Sequence, residues 1–196
     1  MVQLTERWKF HYYMRELVQQ YEFAKVAART LNNIAESKER DATPTFAALQ
    51  SVLAASAMMS KILWPAPPQK REAGSPAAEW TLRRGPLLRS ALEIEEPHVL
   101  SRRAVRNSFE HFDNRLDSLV VDERGPVMVD MSISDAPFES YIDLGEGVAM
   151  EFGRTFRTDS REVSVLDESI DVQELLHAMF GVSHQAQTWL KANRRP

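Results

Sequence analysis

The sequence predicts a mainly helical chain, an up-and-down bundle of four to five main helices with a small antiparallel β insertion before the C-terminal helix. Three observations carry this. Apolar residues recur at alternating steps of three and four through long stretches free of glycine. A proline-rich segment, Pro65 to Pro76, divides the second stretch from the third. Between about 119 and 166 the pattern becomes alternating, and it turns helical again near Asp171.

The first stretch runs from Thr5 to Ser37, with Tyr13, Leu17, Tyr21, Ala24, Ala28, Leu31 and Ala35 on one stripe and Thr5 and Glu6 at its start. At the usual rise such a helix is about 45 Å long and needs a partner to bury its stripe. The second follows a turn at Asp41 to Thr45, with Pro44 suited to the first helical position. It runs to about Leu63 on Phe46, Leu49, Leu53, Ala57, Ser60 and Leu63. Small residues from Ala54 to Ala57 allow a close approach, so the pair reads as an antiparallel hairpin. Ala77 to Arg83 reads as a short helix, Gly85-Pro86 as a restart, and Pro97 as a break. One helix over Ser101 to Leu119, or from as early as Pro97, carries the stripe Val105, Phe109, Phe112, Leu116 and Leu119, with the two phenylalanines in the middle as deep core.

Leu119 to Val121 and Val127 to Ile133 then read as a β-hairpin turning at Gly125. Further strands are expected at Tyr141 to Leu144, Ala149 to Phe152 and Glu162 to Leu166, with Gly145 and Gly147 in a turn. Asp171 and Glu174 have the spacing of a capping box and open the last helix. Its buried side is Val172, Leu175, Leu176, Met179, Val182, Ala186, Trp189 and Leu190, and Gly181 marks a close contact or a bend. The whole chain, 1–196, reads as one domain.

With 196 residues, 43% hydrophobic and 27% charged, the chain can bury a substantial core. It has no cysteine, which excludes disulfides, zinc-thiolate sites and a cysteine nucleophile. No stretch reads as a membrane span and the N-terminus lacks a signal-peptide core, so a cytoplasmic protein is expected. The net charge of -4 excludes a general basic coat for nucleic acid, but not a local basic cleft. Phosphate-binding glycine loops and zinc-hydrolase motifs are missing, and His11, His98, His111, His177 and His184 show no close metal-ligand spacing. No metal and no cofactor are expected.

The segment Arg102 to Asp117, dense in polar groups around the stripe, is the distinctive one. On a helical wheel Arg106 and His111 lie about 100° and 240° from Val105, so they flank the non-core side without pointing the same way. Asn107 and His111, four apart, are neighbours on one face. Histidine suits proton transfer at neutral pH, and arginine grips phosphate through its planar fork.

The run RNSFEH at 106 to 111 resembles the R-x4-6-H motif of the HEPN superfamily, helical-bundle proteins of which many are metal-independent endoribonucleases. The surround, RAVRNSFEHFDNRLD, is similar to the motif helix of uncharacterised bacterial HEPN-like proteins. The resemblance implies a homodimer whose two motifs form one RNA-cleaving cleft, in a toxin–antitoxin or phage-defence setting with a cognate antitoxin as partner. It implies Arg106, His111 and Asn107 as catalytic residues, with Arg102, Arg103 and Arg115 on an RNA-binding rim. His111 would take the 2′-hydroxyl proton, Arg106 would oppose charge on the phosphorus centre, and Glu16 or Glu22 would orient the histidine. Two other readings stand beside it. One is a non-catalytic module binding nucleotide, RNA or protein. The other is a structural or interaction protein in which the same arginines and acids form a solvated salt-bridge face. Trp8, Tyr12 and Trp64 read as exposed aromatics at a dimer contact.

Overall fold

The computed structural model describes residues 7–36, 40–70, 74–121, 127–137, 141–143 and 149–193. It is mostly helical, with β structure before the C-terminal helix. Helix α1 spans Arg7–Glu36 and α2 spans Ala42–Leu63. Thr5, Glu6 and Ser37 lie outside the described residues. Asp41, and not Pro44, opens α2: its carboxylate accepts from Thr43 N at 3.0 Å, and Pro44 sits third in the helix. The two helices pack on each other more extensively than any other pair. Arg84 reaches both Tyr13 near the start of α1 and the Lys61 carbonyl near the end of α2, so they run antiparallel, as expected.

The core face of α1 is rotated slightly from the expected stripe. Phe10, Met14, Leu17, Ala24, Ala27 and Leu31 are buried, whereas Tyr13, Tyr21 and Ala28 are half-buried. Helix α2 is buried on most of its circumference, because α1, α3, α4 and α6 all pack on it. That placement explains its composition. It is the one described helix long and apolar enough to cross a membrane, which corrects the expectation that no stretch reaches that length, and 67% of its apolar window is buried inside the protein.

Helix α3, Pro76–Ala91, is continuous through Gly85 and Pro86. The separate short helix expected over 77–83 and the restart at Gly85-Pro86 are thus one helix, and the chain leaves helix before Pro97 as expected. Ser75 caps it by accepting from Ala78 N, and Arg84 and Arg89 tie it to the end of α2. A 3-10 turn, Val99–Ser101, leads to α4, Ala104–Glu110, and α5, Phe112–Val120. The single helix expected over 101 to 119 is therefore interrupted at His111. The interruption lets Phe109 stay in the core while Phe112 turns to the sheet, where Arg154 lies 4.6 Å from its ring centre. Leu116 is exposed, which corrects its assignment to the core; the Leu119 side chain is outside the described residues.

The β part is larger than a small insertion. Seven strands are described: β1 Val127–Val129, β2 Ser132–Ser134, β3 Tyr141–Asp143, β4 Ala149–Phe152, β5 Arg154–Arg157, β6 Glu162–Val165 and β7 Glu168–Asp171. They form two sheets, ordered β1-β4-β3 and β2-β5-β6-β7. β1 runs parallel to β4 and β2 parallel to β5, so the sheets are mixed and not antiparallel throughout. The expected hairpin across Gly125 is replaced by these parallel pairings: residues 119 and 120 belong to α5, and 122–126 lie outside the described residues. The strands expected at 141, 149 and 162 are present, β3 pairing antiparallel with β4; Gly145 and Gly147 are outside the described residues. Two segments pass from one sheet to the other, the edge segment β1–β2 at Asp130-Met131 and the segment β4–β5 at Gly153. Phe156, Val163, Val165 and Ile170 face inward and join the helical core.

Helix α6, Val172–Ala192, begins as expected, with Asp171 accepting from Gln173 N and Glu174 N at 2.7 and 3.0 Å. It packs on α1. Gly181 makes no close contact: an added Cβ meets nothing within 4 Å, and the helix is unbroken there. Gly181→Ala is therefore expected to stabilise the protein by about 0.5–1 kcal/mol, by removing backbone freedom from the unfolded chain. Urea unfolding would show the midpoint rising, and a fall would mean the helix bends there in solution.

Candidate functional site

Helix α4 lies between α2 and the β6–β7 edge, and this position sorts its side chains onto two sides. Arg106 points inward and is 4% exposed. Its Nη1 donates to Ser56 O of α2 at 3.3 Å and its Nη2 to Arg102 O at 2.7 Å, while Nε has no partner among the described residues. No described carboxylate lies within ion-pair distance of it. Burial, then the neighbouring Arg103, pull its pKa down to about 10, with Glu110 partly opposing them. It remains a cation at neutral pH.

Arg103 donates to the Trp64 carbonyl, beside Arg84 on Lys61 O and Arg89 on Leu63 O. Three arginines thus satisfy carbonyls at the end of α2, which have no helical amide to accept from and carry the negative end of its dipole. Arg102 is exposed, with Glu174 its nearest acid among the described residues, 4.0 Å away. The Arg115 side chain is outside the described residues. Of the expected RNA rim, Arg102 alone is described as open to a ligand.

His111 is exposed at the junction of α4 and α5, and its backbone N–H closes α4 on Asn107 O at 2.9 Å. It shares an open groove of about 370 Å³ with Asn107, Ser108, Asn114 and, from β7, Glu168. Arg106 lines a different and smaller cavity, about 60 Å³, with Gln50, Leu53, Phe109 and Glu110. The structure therefore brings Asn107 and His111 together and turns Arg106 away from them. Glu16 and Glu22 do not reach His111: Glu16 accepts from Gln20, and Glu22 pairs with Lys25. Ser108, Asn114 and Glu168 were missed by sequence reasoning. Asn114 carried a usable signal, lying seven residues after Asn107, but Glu168 joins only because a sheet edge meets α4.

Two of the other histidines, His11 and His98, have structural bonds, whereas His177 and His184 are exposed. His11 bonds the Asn193 carbonyl at 2.9 Å and packs on Trp189. His98 caps the 3-10 turn and stacks on Trp64, and burial lowers its pKa against the pull of Glu96. Trp64 is itself half-buried and donates to Glu96, so it is not the exposed aromatic expected. Trp8 and Tyr12 are exposed. Among the described residues no cluster of three or more histidine or carboxylate side chains is placed to hold a metal ion. These features define a mainly helical protein with a mixed β region and a polar groove along one short helix. No family model, curated protein or solved structure matches the chain.

Proposed function

We propose that this protein is a non-catalytic nucleotide-binding helical module that takes its ligand in the groove of Asn107, Ser108, His111, Asn114 and Glu168. The observation that carries this reading is the composition of that groove: two amides, an imidazole and a carboxylate line one open surface, with the buried Ser108 at its base. A side-chain amide offers a donor and an acceptor in one plane, the arrangement that matches a base edge. A carboxylate accepts from an exocyclic amine or a ribose hydroxyl. Arg102, exposed two residues before the Ala104 that lines the groove, would supply a cation for phosphate, and its contribution falls as salt rises. In this reading the helices form an up-and-down bundle, the protein is cytoplasmic, and two copies associate through the face that carries Trp8 and Tyr12.

Metal-independent RNA cleavage is the second reading. It is favoured by one observation, that Asn107 and His111 line the same open groove. The buried position of Arg106 weighs against it, since that arginine would have to leave Ser56 O and Arg102 O to reach a phosphate.

One experiment separates the two. The protein is titrated in EDTA with ribonucleoside monophosphates and a short single-stranded RNA, following binding by calorimetry, the wild-type His111 ring signals by NMR and the RNA by gel. Saturable binding with intact RNA is expected, weakened about three- to tenfold by Asn107→Ala or His111→Ala, the worth of one neutral hydrogen bond. Cleavage by the wild type that disappears in Arg106→Ala and His111→Ala would install the second reading. Absence of saturable binding to any nucleotide would end both.

A further inference from the structure

A second cavity, of about 210 Å³, opens where α1, α6 and the sheet meet. It shares no lining residue with the groove beside α4. Its apolar floor is made by Leu31 of α1, Phe156 of β5, and Val172 and Leu176 of α6, and its polar rim includes Asn32 and Arg161. The volume lies below the range of about 300–1,000 Å³ typical of pockets for drug-sized ligands, so a compact molecule fits it and a nucleotide does not.

Arg161 is held at this mouth by its backbone. It sits in the left-handed region at φ 57°, an uncommon conformation for a side-chain-bearing residue, and its carbonyl accepts from Val172 N at 3.0 Å. Its guanidinium has one long bond, 3.4 Å, to the neutral Oδ1 of Asn32. No described carboxylate lies within ion-pair distance of it. Two acids close in the chain or the sheet are engaged elsewhere: Asp159 accepts from Arg157, and Asp171 caps α6. The cavity thus combines an apolar floor with a cation that has no counter-anion among the described residues, at a junction of three elements.

We propose that this cavity binds a small monocarboxylate with a compact branched or aromatic body. The carboxylate lies against the fork of Arg161, with the Asn32 amide beside it, and the body covers Leu31, Phe156 and Leu176. Arginine matches a carboxylate through two parallel N–H donors, which a neutral amide in the ligand cannot exploit. Because the ligand would touch α1, α6 and β5 together, it would also tie the β part to the helices and raise the melting temperature. This inference is independent of the nucleotide reading.

The test uses the full chain with 4-methylpentanoate and phenylacetate, their amides as neutral controls, and acetate and inorganic phosphate as controls for charge alone. Calorimetry and thermal shift are expected to show that the two acids bind and that their amides bind about tenfold more weakly. Acetate and phosphate should not compete. Arg161→Gln keeps the backbone and should bring the acids down to the amides, and Leu176→Trp should fill the cavity and abolish binding of both. Nuclear Overhauser contacts from the bound acid to the methyls of Leu31 and Leu176 provide a readout that needs no variant. Equal binding of acid and amide, acid binding that survives Leu176→Trp in a folded protein, contacts to other methyls, or no binding of either acid would each overturn the proposal.

Discussion

Replacing Asp130 by alanine is expected to destabilise the protein by about 3 kcal/mol, the low end of the cost of stripping one partner from a buried ion pair. Asp130 stands at the bend between β1 and β2. Its Oδ1 accepts from the Arg154 backbone N–H at 2.8 Å and from Arg154 Nε at 3.0 Å, and its Oδ2 takes the Arg154 Nη2. Each side chain of the pair is about a quarter exposed. The Arg154 guanidinium is also bracketed by Phe109 and Phe112, at 5.7 and 4.6 Å, so the pair joins the sheet bend to α4 and α5. Loss of the carboxylate leaves a half-enclosed cation and an unmatched backbone N–H. Burial alone would push the Asp130 carboxyl up, but the Arg154 donors overcome it and hold the carboxyl below its ordinary value of 3.8. A depressed carboxyl contributes stability that is present above its unfolded pKa and lost as pH falls through its folded one. The wild type should therefore lose this contribution below pH 3.8, and Asp130→Asn should show a shallower acid decline over the same window. Urea unfolding of Asp130→Ala, Arg154→Met and the double variant checks the pairing: the double variant should cost clearly less than the sum of the singles. Strict additivity would mean the contact is not formed in solution.

The helices were legible because their physics is local. A three-four repeat over Arg7–Glu36 and a cap at Asp171 require no knowledge of the rest of the chain, and both stand as expected. The misreadings fall where a long-range contact overrides a local rule. Gly85-Pro86 reads as the restart of a second helix, yet α3 runs through it unbroken, with Arg84 and Arg89 anchoring it to the end of α2. Leu116 fits the stripe of Phe109 and Phe112, but the turn at His111 redirects the chain, and no proline or glycine signals it. The parallel pairings of β1 with β4 and β2 with β5 join strands about twenty residues apart, and nothing in the alternation of apolar residues specifies the partner.

The candidate site was legible to the same extent. Asn107 and His111 share a face by spacing alone, and they share a groove in the fold. Whether Arg106 would look outward depended on which side α2 took. The helix wheel put Arg106 on a flank, and the approach of Ser56 converted that flank into interior. The arginines that suggested a phosphate rim are largely accounted for by an older demand, the unpaired carbonyls at the end of a buried helix. That demand explains Arg84, Arg89 and Arg103 without any ligand, and it leaves Arg102 exposed, 4.0 Å from Glu174.

Gly85→Ala is expected to cost about 2–3 kcal/mol, opposite in sign to the gain expected at Gly181. In most helices glycine to alanine is favourable, because alanine restricts the unfolded chain and fits the helix. At Gly85 an added Cβ would lie 2.6 Å from Pro65 Cδ and 2.8 Å from Leu63 O. Neither neighbour yields easily. One is a ring fixed in the chain, and the other is the carbonyl that Arg89 already holds. Relief requires α3 to move away from the end of α2, and that movement would strain the bonds from Arg84 and Arg89 to Lys61 O and Leu63 O. The penalty is then overpacking combined with loosened caps. Pro65→Ala should recover part of it in the double variant, since it removes the nearer obstacle, but the Leu63 carbonyl remains and full recovery is not expected. Urea unfolding of both glycine variants under one set of conditions tests the close approach directly. If Gly85→Ala proved as stable as the wild type, α3 would not seat against the end of α2 as described, and the account of the arginines around that end would fall with it.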